Sequence, residues 1–257
     1  MSISDQQGRK YCFASGPSHV LQVSELELTE GMIMKIFTGA VVAVALAVPT
    51  YAAKDAAQRL QAATTDLSAM ANASDKGIPQ GLLNKATCVV VIPNLKKGGF
   101  IVGGEYGKGF FSCRKTSGAG WSAPGSVRIS GGKFGLLVGG AETDVLMLVM
   151  NQTGMEHLLS SKFKLGGEAS AAAGPVGRES SAMTDAAMHA EILTYSRSRG
   201  IFGGLDLGGA AVTEDKDSNR ELYGTAITNK EILNTAPKVP TEAENFVETL
   251  DQLSSRK

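Results

Sequence analysis

From residue 53 to 73 the chain is alanine-rich and free of Gly and Pro, and Ala56, Leu60, Ala63, Leu67 and Met70 recur at helical spacing. This predicts one amphipathic helix with a thin apolar stripe. We read the stripe as packed on the domain; the alternative, a helix lying on a membrane surface, has only Lys54 and Arg59 to support it. After Gly77-Ile78-Pro79 a short helix is predicted over 80–85, then a β-branched strand over 87–92 that Pro93 ends.

From residue 98 to 140 the pattern changes, with fourteen glycines in 43 residues interleaved with Phe100, Ile101, Val102, Phe110, Phe111, Val127, Ile129, Leu136 and Val138. Glycine weakens a strand interior and is kept where strands bend, bulge or admit close backbone approach. Three stretches, 98–109, 132–142 and 200–209, each place a short hydrophobic run before a Gly-Gly pair and read as similarly bent strands of one sheet. A strand over 143–150, a helix over 153–161, a small-residue segment over 168–177 and a return run over 186–196 follow. Helices over 228–233 and 241–253 close the chain, with Pro240-Thr241 as a start signal. The predicted fold class is α+β: an N-terminal amphipathic helix, a strongly curled, glycine-rich, barrel-like antiparallel sheet, and C-terminal helices.

Ahead of this domain, residues 36–48 (IFTGAVVAVALAV) are uncharged and mostly apolar, with Lys35 before them and Pro49-Thr50-Tyr51-Ala52 after. That is the anatomy of a secretory signal peptide, too short to span a bilayer comfortably. The acidic lead-in of Glu25, Glu27 and Glu30 suits no such signal, and Met34 makes the better start. The expected organisation is a mis-assigned upstream start over 1–33, a signal peptide over 34–52 cleaved near Ala52, and a single domain with a helical tail over 53–257. An uncleaved signal anchor is the rival reading. Cleavage places the mature protein in the periplasm or outside the cell.

Composition narrows function. The 257 residues carry 25 Lys plus Arg against 25 Asp plus Glu, and removing residues 1–52 leaves 22 and 21. Near-neutrality argues against nucleic acid as a partner. Of the cysteines, Cys88 and Cys113 remain after processing; they lie on neighbouring apolar segments and either pair in an oxidising compartment or stay buried thiols.

No constellation points to catalysis, a cofactor or a metal. His157 and His189 read as structural histidines on strands, and His189-Ala190-Glu191 lacks the downstream Pro-Cys-x-x-Cys of a deaminase zinc site. Ser122, in Gly120-Trp121-Ser122-Ala123-Pro124, has Pro124 where a nucleophile elbow needs glycine. No paired carboxylates stand out. What remains is a binding surface: basic residues at Lys96, Lys97, Lys108, Arg114, Lys115, Lys162, Lys164, Arg178, Arg197 and Arg199 sit beside glycine-rich backbone, a combination suited to an anionic headgroup. Alternation puts Arg197 and Arg199 on one side of a strand.

Five ordered motifs, residues 88–93 (CVVVIP), 97–109 (KGGFIVGGEYGKG), 121–124 (WSAP), 173–178 (AGPVGR) and 195–204 (YSRSRGIFGG), closely resemble the SYLF-domain family over about residues 53–235. The resemblance implies a non-enzymatic lipid-binding domain. Eukaryotic members, often fused to a Src-homology-3 or FYVE module, bind phosphoinositides, a yeast branch binds and bundles actin, and bacterial members are secreted envelope proteins. The present sequence shows no such partner module and carries an export signal, so the expected function is binding of anionic phospholipid or phosphoinositide-like headgroups at the cell envelope. The residues expected to do so are Lys96, Lys97, Lys108, Trp121, Arg178, Arg197, Arg199 and Phe202. The alternative is a structural or protein-interaction module with an envelope protein partner; the oligomeric state is left open. N-terminal sequencing of the native protein is expected to begin at or beside Ala53; any residue from 2 to 30 in the mature protein would refute the assignment of the start.

Overall fold

Cys88 and Cys113 stand directly opposite each other on two antiparallel strands, and their sulfurs are joined in a disulfide. The computed structural model describes residues 48–73, 77–99, 102–115, 119–134, 139–177, 185–198 and 201–254; most of the expected export signal lies outside them. All described residues but Val48 belong to the compact unit Pro49–Lys257.

Helices α1 (Val48–Ala71) and α2 (Gln80–Lys85) precede strands β1 (Cys88–Gly99), β2 (Val102–Cys113), β3 (Gly125–Phe134) and β4 (Gly139–Val149). Then come α3 (Gln152–Leu158), β5 (Lys162–Lys164), β6 (Ala171–Ala173), α4 (Asp185–His189), β7 (Ile192–Ser198), β8 (Ile201–Gly204) and β9 (Ala211–Glu214). The chain continues with α5 (Lys216–Tyr223), α6 (Asn229–Thr235), a 3-10 turn (Thr241–Ala243) and α7 (Glu244–Leu253). The strands form one sheet in the order β5-β9-β3-β2-β1-β4-β7-β6, with β8 also on β7. The α+β class and the strong curl are as expected, but the sheet stays open as a half-barrel, and β6 joins β7 in parallel.

The expectation that Pro93 ends the first strand is corrected. β1 runs on to Gly99 through a bulge, which inserts one extra residue against both neighbours between Val91 or Ile92 and Leu95 or Lys96. Proline, lacking an N–H, is tolerated where ladder pairing is already broken. Asn94 there takes a φ of 53° and donates its backbone N–H to Asp144 Oδ1 at 3.1 Å. Across from the bulge, β2 carries Gly107 and Gly109 for a steric reason. A Cβ on Gly109 would lie 2.0 Å from the Val91 carbonyl oxygen, and one on Gly107 would lie 2.8 Å from the Ile92 side chain.

The alternation of β1 to β4 feeds two core layers. On one face Val89, Val91, Phe110, Leu146, Leu148, Leu193 and Tyr195 pack under the α1 stripe of Ala56, Leu60, Ala63, Leu67 and Met70, joined by Phe246 and Leu250 of α7. On the other, Val90, Ile92, Phe111, Val127, Ile129, Val145 and Met147 pack with Phe163 and Val212. The tail helix α6 opens with a capping box in which the Thr228 hydroxyl accepts from the Glu231 N–H and the Glu231 carboxylate accepts from the Thr228 N–H. The histidines are not on strands: His157 lies in α3 and His189 ends α4.

The disulfide closes a loop with a sequence separation of 25, for which chain-entropy arguments give about 3 kcal/mol. Replacing both cysteines by alanine is therefore expected to lower unfolding free energy by about that amount, read as an earlier urea midpoint. The wild type in reductant should approach the same midpoint.

Candidate ligand-binding surface

The basic residues singled out in the sequence are mostly committed to carboxylates. Lys108 on β2 sits 2.9 Å from Asp215 Oδ2, whose residue is buried. Burial disfavours the Asp215 charge, but hydrogen bonds from Lys108 and Ser218, with the Lys108 charge, outweigh it and hold the carboxyl below the usual range. Ser218 in turn accepts from Arg59 of α1 at 3.2 Å. Lys97 lies on the opposite face of β1, with Nζ 3.6 Å from Glu105. Lys96 is exposed, 4.0 Å from Glu142 of β4.

Arg197 on β7 donates to both Asp66 of α1 and Asp144 of β4, the latter at 3.1 Å. Two carboxylates thus share one guanidinium, a pairing the sequence did not disclose. Burial, and then the neighbouring Asp144 charge, push Asp66 up to about 6 against the pull of Arg197. Arg197 is accordingly a clamp between helix and sheet and not a free phosphate ligand. Arg178 and Arg199 lie outside the described residues.

Of the aromatic candidates, Trp121 is corrected. Trp121 is fully buried, its ring under the Arg114 guanidinium at 4.3 Å, and Arg114 caps α2 by donating to the Ala86 carbonyl at 3.1 Å and the Leu83 carbonyl at 3.4 Å. A ring with no exposed surface cannot lie against acyl chains. Phe202 is half-buried and stacks on Tyr195 with ring centroids 5.8 Å apart. Ser122 is buried in the turn, where its Oγ accepts from the Cys113 N–H at 3.1 Å and donates to the Ala123 carbonyl at 2.9 Å. Among the described residues no cluster of three or more His, Cys, Asp or Glu could hold a metal ion, and no helix is long and apolar enough to cross a membrane.

Two clefts flank α1. The one against α7, about 1050 Å³, is lined by neutral polar side chains such as Gln58, Gln61, Thr65 and Asn245, and its charges are Glu242 and Glu248. The one against the bulge, about 570 Å³, contains Arg59, Lys96 and Lys108 with Asp55, but the partners above occupy these cations.

A different set of cations is uncommitted. Lys162 and Lys164 on β5 oppose Thr213 and Ala211 on β9, which oppose Arg128 and Ser130 on β3, which oppose Lys108 and Tyr106 on β2. Directly opposed residues share a sheet face, so Lys162, Lys164 and Arg128 lie on one face across three adjacent strands, within about 10 Å at the usual strand spacing. Lys162 and Lys164 are exposed and Arg128 half-buried, and among the described residues none of the three has a carboxylate partner. The Glu168 carboxylate nearby is held by the Lys164 backbone N–H at 3.0 Å. The alternation Lys162-Phe163-Lys164 was legible in the sequence; that Arg128 joins it depends on strand order.

Comparison with known proteins bears out the family resemblance. The family described as "Ysc84: Las17-binding protein actin regulator" matches residues 130–253. The chain carries a Ysc84 (SYLF) family domain. It is 32% identical over 181 residues to Protein YSC84 of Saccharomyces cerevisiae, covering 69% of this chain and 38% of that protein. It is equally similar to LAS seventeen-binding protein 3 of the same yeast, covering 39% of it. With human SH3 domain-containing YSC84-like protein 1 it shares 31% over 186 residues, 72% of this chain and 54% of the relative. The chain thus spans from 38% to 55% of the length of such relatives. Their names describe binding proteins and SH3-containing proteins, not enzymes.

The Asp66 clamp makes one contribution to the pH dependence of the domain's stability. The folded-state value of about 6 stands above the ordinary 3.8, so this group's stabilising contribution is full in acid and is lost as pH rises through 6. Unfolding free energy should gain about 1 kcal/mol on going from about pH 7.5 to about pH 5, measured by urea titration, and Asp66→Asn should flatten that gain. An unchanged slope in the variant would reject the assignment.

Proposed function

We propose that this SYLF domain is a non-enzymatic module that binds anionic phospholipid at the cell envelope through the β5-β9-β3-β2 face. The observation that carries the reading is the registered set Lys162, Lys164 and Arg128, whose charges no carboxylate of the described residues neutralises. Basic side chains near an anionic membrane contribute about 1 kcal/mol each. The paired cations would contribute less, since taking Lys108 from Asp215 or Arg197 from Asp66 and Asp144 strands partly buried carboxylates. The domain is taken to act as residues 53–257, after removal of the upstream segment. The Cys88–Cys113 disulfide supports a periplasmic or secreted location, because such bonds persist in oxidising compartments.

The second reading is a protein partner. It draws on the names of the relatives, two of which are LAS seventeen-binding proteins; because the chain covers under half of those proteins, the partner itself does not transfer. Co-sedimentation separates the readings. The protein should bind vesicles of phosphatidylglycerol and phosphatidylcholine but not of phosphatidylcholine alone, with salt weakening the binding. The triple variant Arg128→Ala, Lys162→Ala, Lys164→Ala should lose about two orders of magnitude in affinity, from about 3 kcal/mol in all. Equal binding to both vesicle types, or an unaffected triple variant, would overturn the lipid reading.

A further inference from the structure

The cleft of about 570 Å³ between α1 and the bulge falls within the ~300–1,000 Å³ usual for small-ligand sites. Three elements wall it: α1 with Asp55, Gln58 and Arg59, the bulged β1 with Asn94 and Lys96, and β2 with Tyr106 and Lys108. Positions 55, 58 and 59 share one flank of the helix. Asn94 stands in the bulge, where its backbone N–H is taken by Asp144 and its side-chain amide is not.

The charges in and beside the cleft cancel. Arg59 pairs with Asp55, Lys108 with Asp215 and Lys96 with Glu142, and Glu221 adds a carboxylate on which the charges of Lys108 and Arg59 act. Three cations thus stand against four carboxylates. A phosphate or carboxylate ligand finds no excess of positive charge here, in contrast to Lys162, Lys164 and Arg128.

What is uncommitted is neutral hydrogen-bonding capacity and one aromatic ring. Gln58, Asn94 and Tyr106 are exposed, and among the described residues no hydrogen bond engages the side chain of any of the three. Both amides donate and accept, as does the tyrosine hydroxyl, and the Asp55 side chain, 68% exposed, offers a further acceptor. Vicinal hydroxyl groups, each donor and acceptor at once, match this set, whereas an apolar ligand would leave it unpaired. Tyr106 is one of four large hydrophobic residues exposed among the described residues, with Val176, Met188 and Ile201. Its place at a concave polar site gives it a use, since the C–H face of a sugar ring packs on an aromatic ring while the hydroxyls point outward.

We propose that this cleft is a saccharide-binding site, in which Asp55, Gln58 and Asn94 hydrogen-bond the hydroxyls of a neutral pyranose and the Tyr106 ring packs against its C–H face. Arg59 and Lys108, neutralised by Asp55 and Asp215, form fixed walls. The cleft is open and few groups converge on it, so binding is weak, with a Kd of about 1 mM. The site does not depend on the lipid reading, because Arg128, Lys162 and Lys164 are not among its walls.

Amide NMR of the isotope-labelled protein tests this. At least one of chitotriose and maltotriose, added to about 20 mM, should shift the side-chain amide signals of Gln58 and Asn94 and the backbone signal of Tyr106 along a saturating curve. Tyr106→Ala should weaken binding by about tenfold or more, and Tyr106→Phe, which keeps the ring, by no more than about threefold. Asn94→Gly removes the amide and suits the φ of 53° there; it should weaken binding and leave the thermal midpoint near wild type. Added salt should leave saccharide binding unchanged while weakening binding to vesicles, so the two readings fail separately. No saturable shift with either saccharide, the same shifts produced by inorganic phosphate instead, or binding indifferent to both Tyr106→Ala and Asn94→Gly would overturn the proposal.

Discussion

The bulge at Pro93 and Asn94 is the constraint on which the rest of this domain depends. By adding one residue to β1 against both neighbours it reverses which residues face α1. Before the bulge both faces of β1 are buried, through Val89 and Val91 on one side and Cys88, Val90 and Ile92 on the other. After it the strand presents exposed Lys96 and Gly98 on the α1 side and turns Lys97 toward buried Glu105. The bulge fits only because β2 has no side chain at Gly107 and Gly109. Its free N–H on Asn94 also fixes Asp144, which shares Arg197 with Asp66. The docking of α1 on the sheet is thus tied electrostatically to a backbone irregularity two strands away from Arg197.

Near-neutral composition takes on a structural meaning in this light. The equal totals of acidic and basic residues are not spread as an even surface mixture. Several are sorted into partly buried pairs that join separate elements: Lys108 with Asp215, Lys97 with Glu105, and Arg197 with Asp66 and Asp144. Such pairs contribute little net stability, yet breaking one leaves an uncompensated buried charge at a cost of about 3–5 kcal/mol. They therefore fix which elements meet and withdraw their cations from ligand binding. Arg128 of β3 and Lys162 and Lys164 of β5 are not withdrawn in this way.

Local signals were legible in the sequence. The stripe from Ala56 to Met70 is buried as its spacing implied, the helix at 80–85 and the tail helix beginning at Pro240-Thr241 are present, and a curled glycine-rich sheet follows from the glycine interleaving. What failed was non-local. Pro93 has the same composition signal at a strand end and in a bulge; Gly107 and Gly109, opposite it, decide between the two. Trp121 in a turn reads as an exposed aromatic until Arg114 is seen above it. Arg197 looks free because its partners are 131 and 53 residues away in sequence. For Cys88 and Cys113 the spacing left thiol and disulfide open, and strand register decided it.

Glycine shows most sharply why composition stops short of function. One stretch of the chain holds two kinds of glycine that no local pattern separates. At Gly109 a methyl group would collide with the backbone of β1, so the residue serves the fold. At Gly132, on the neighbouring strand β3, a methyl group would project into open space. Folding alone would accept alanine or a β-branched residue there, and strand propensity would favour it. That Gly132 falls into register with Gly104, Gly98 and Gly140 across β3, β2, β1 and β4 is a property of pairing, which no local pattern of the sequence carries.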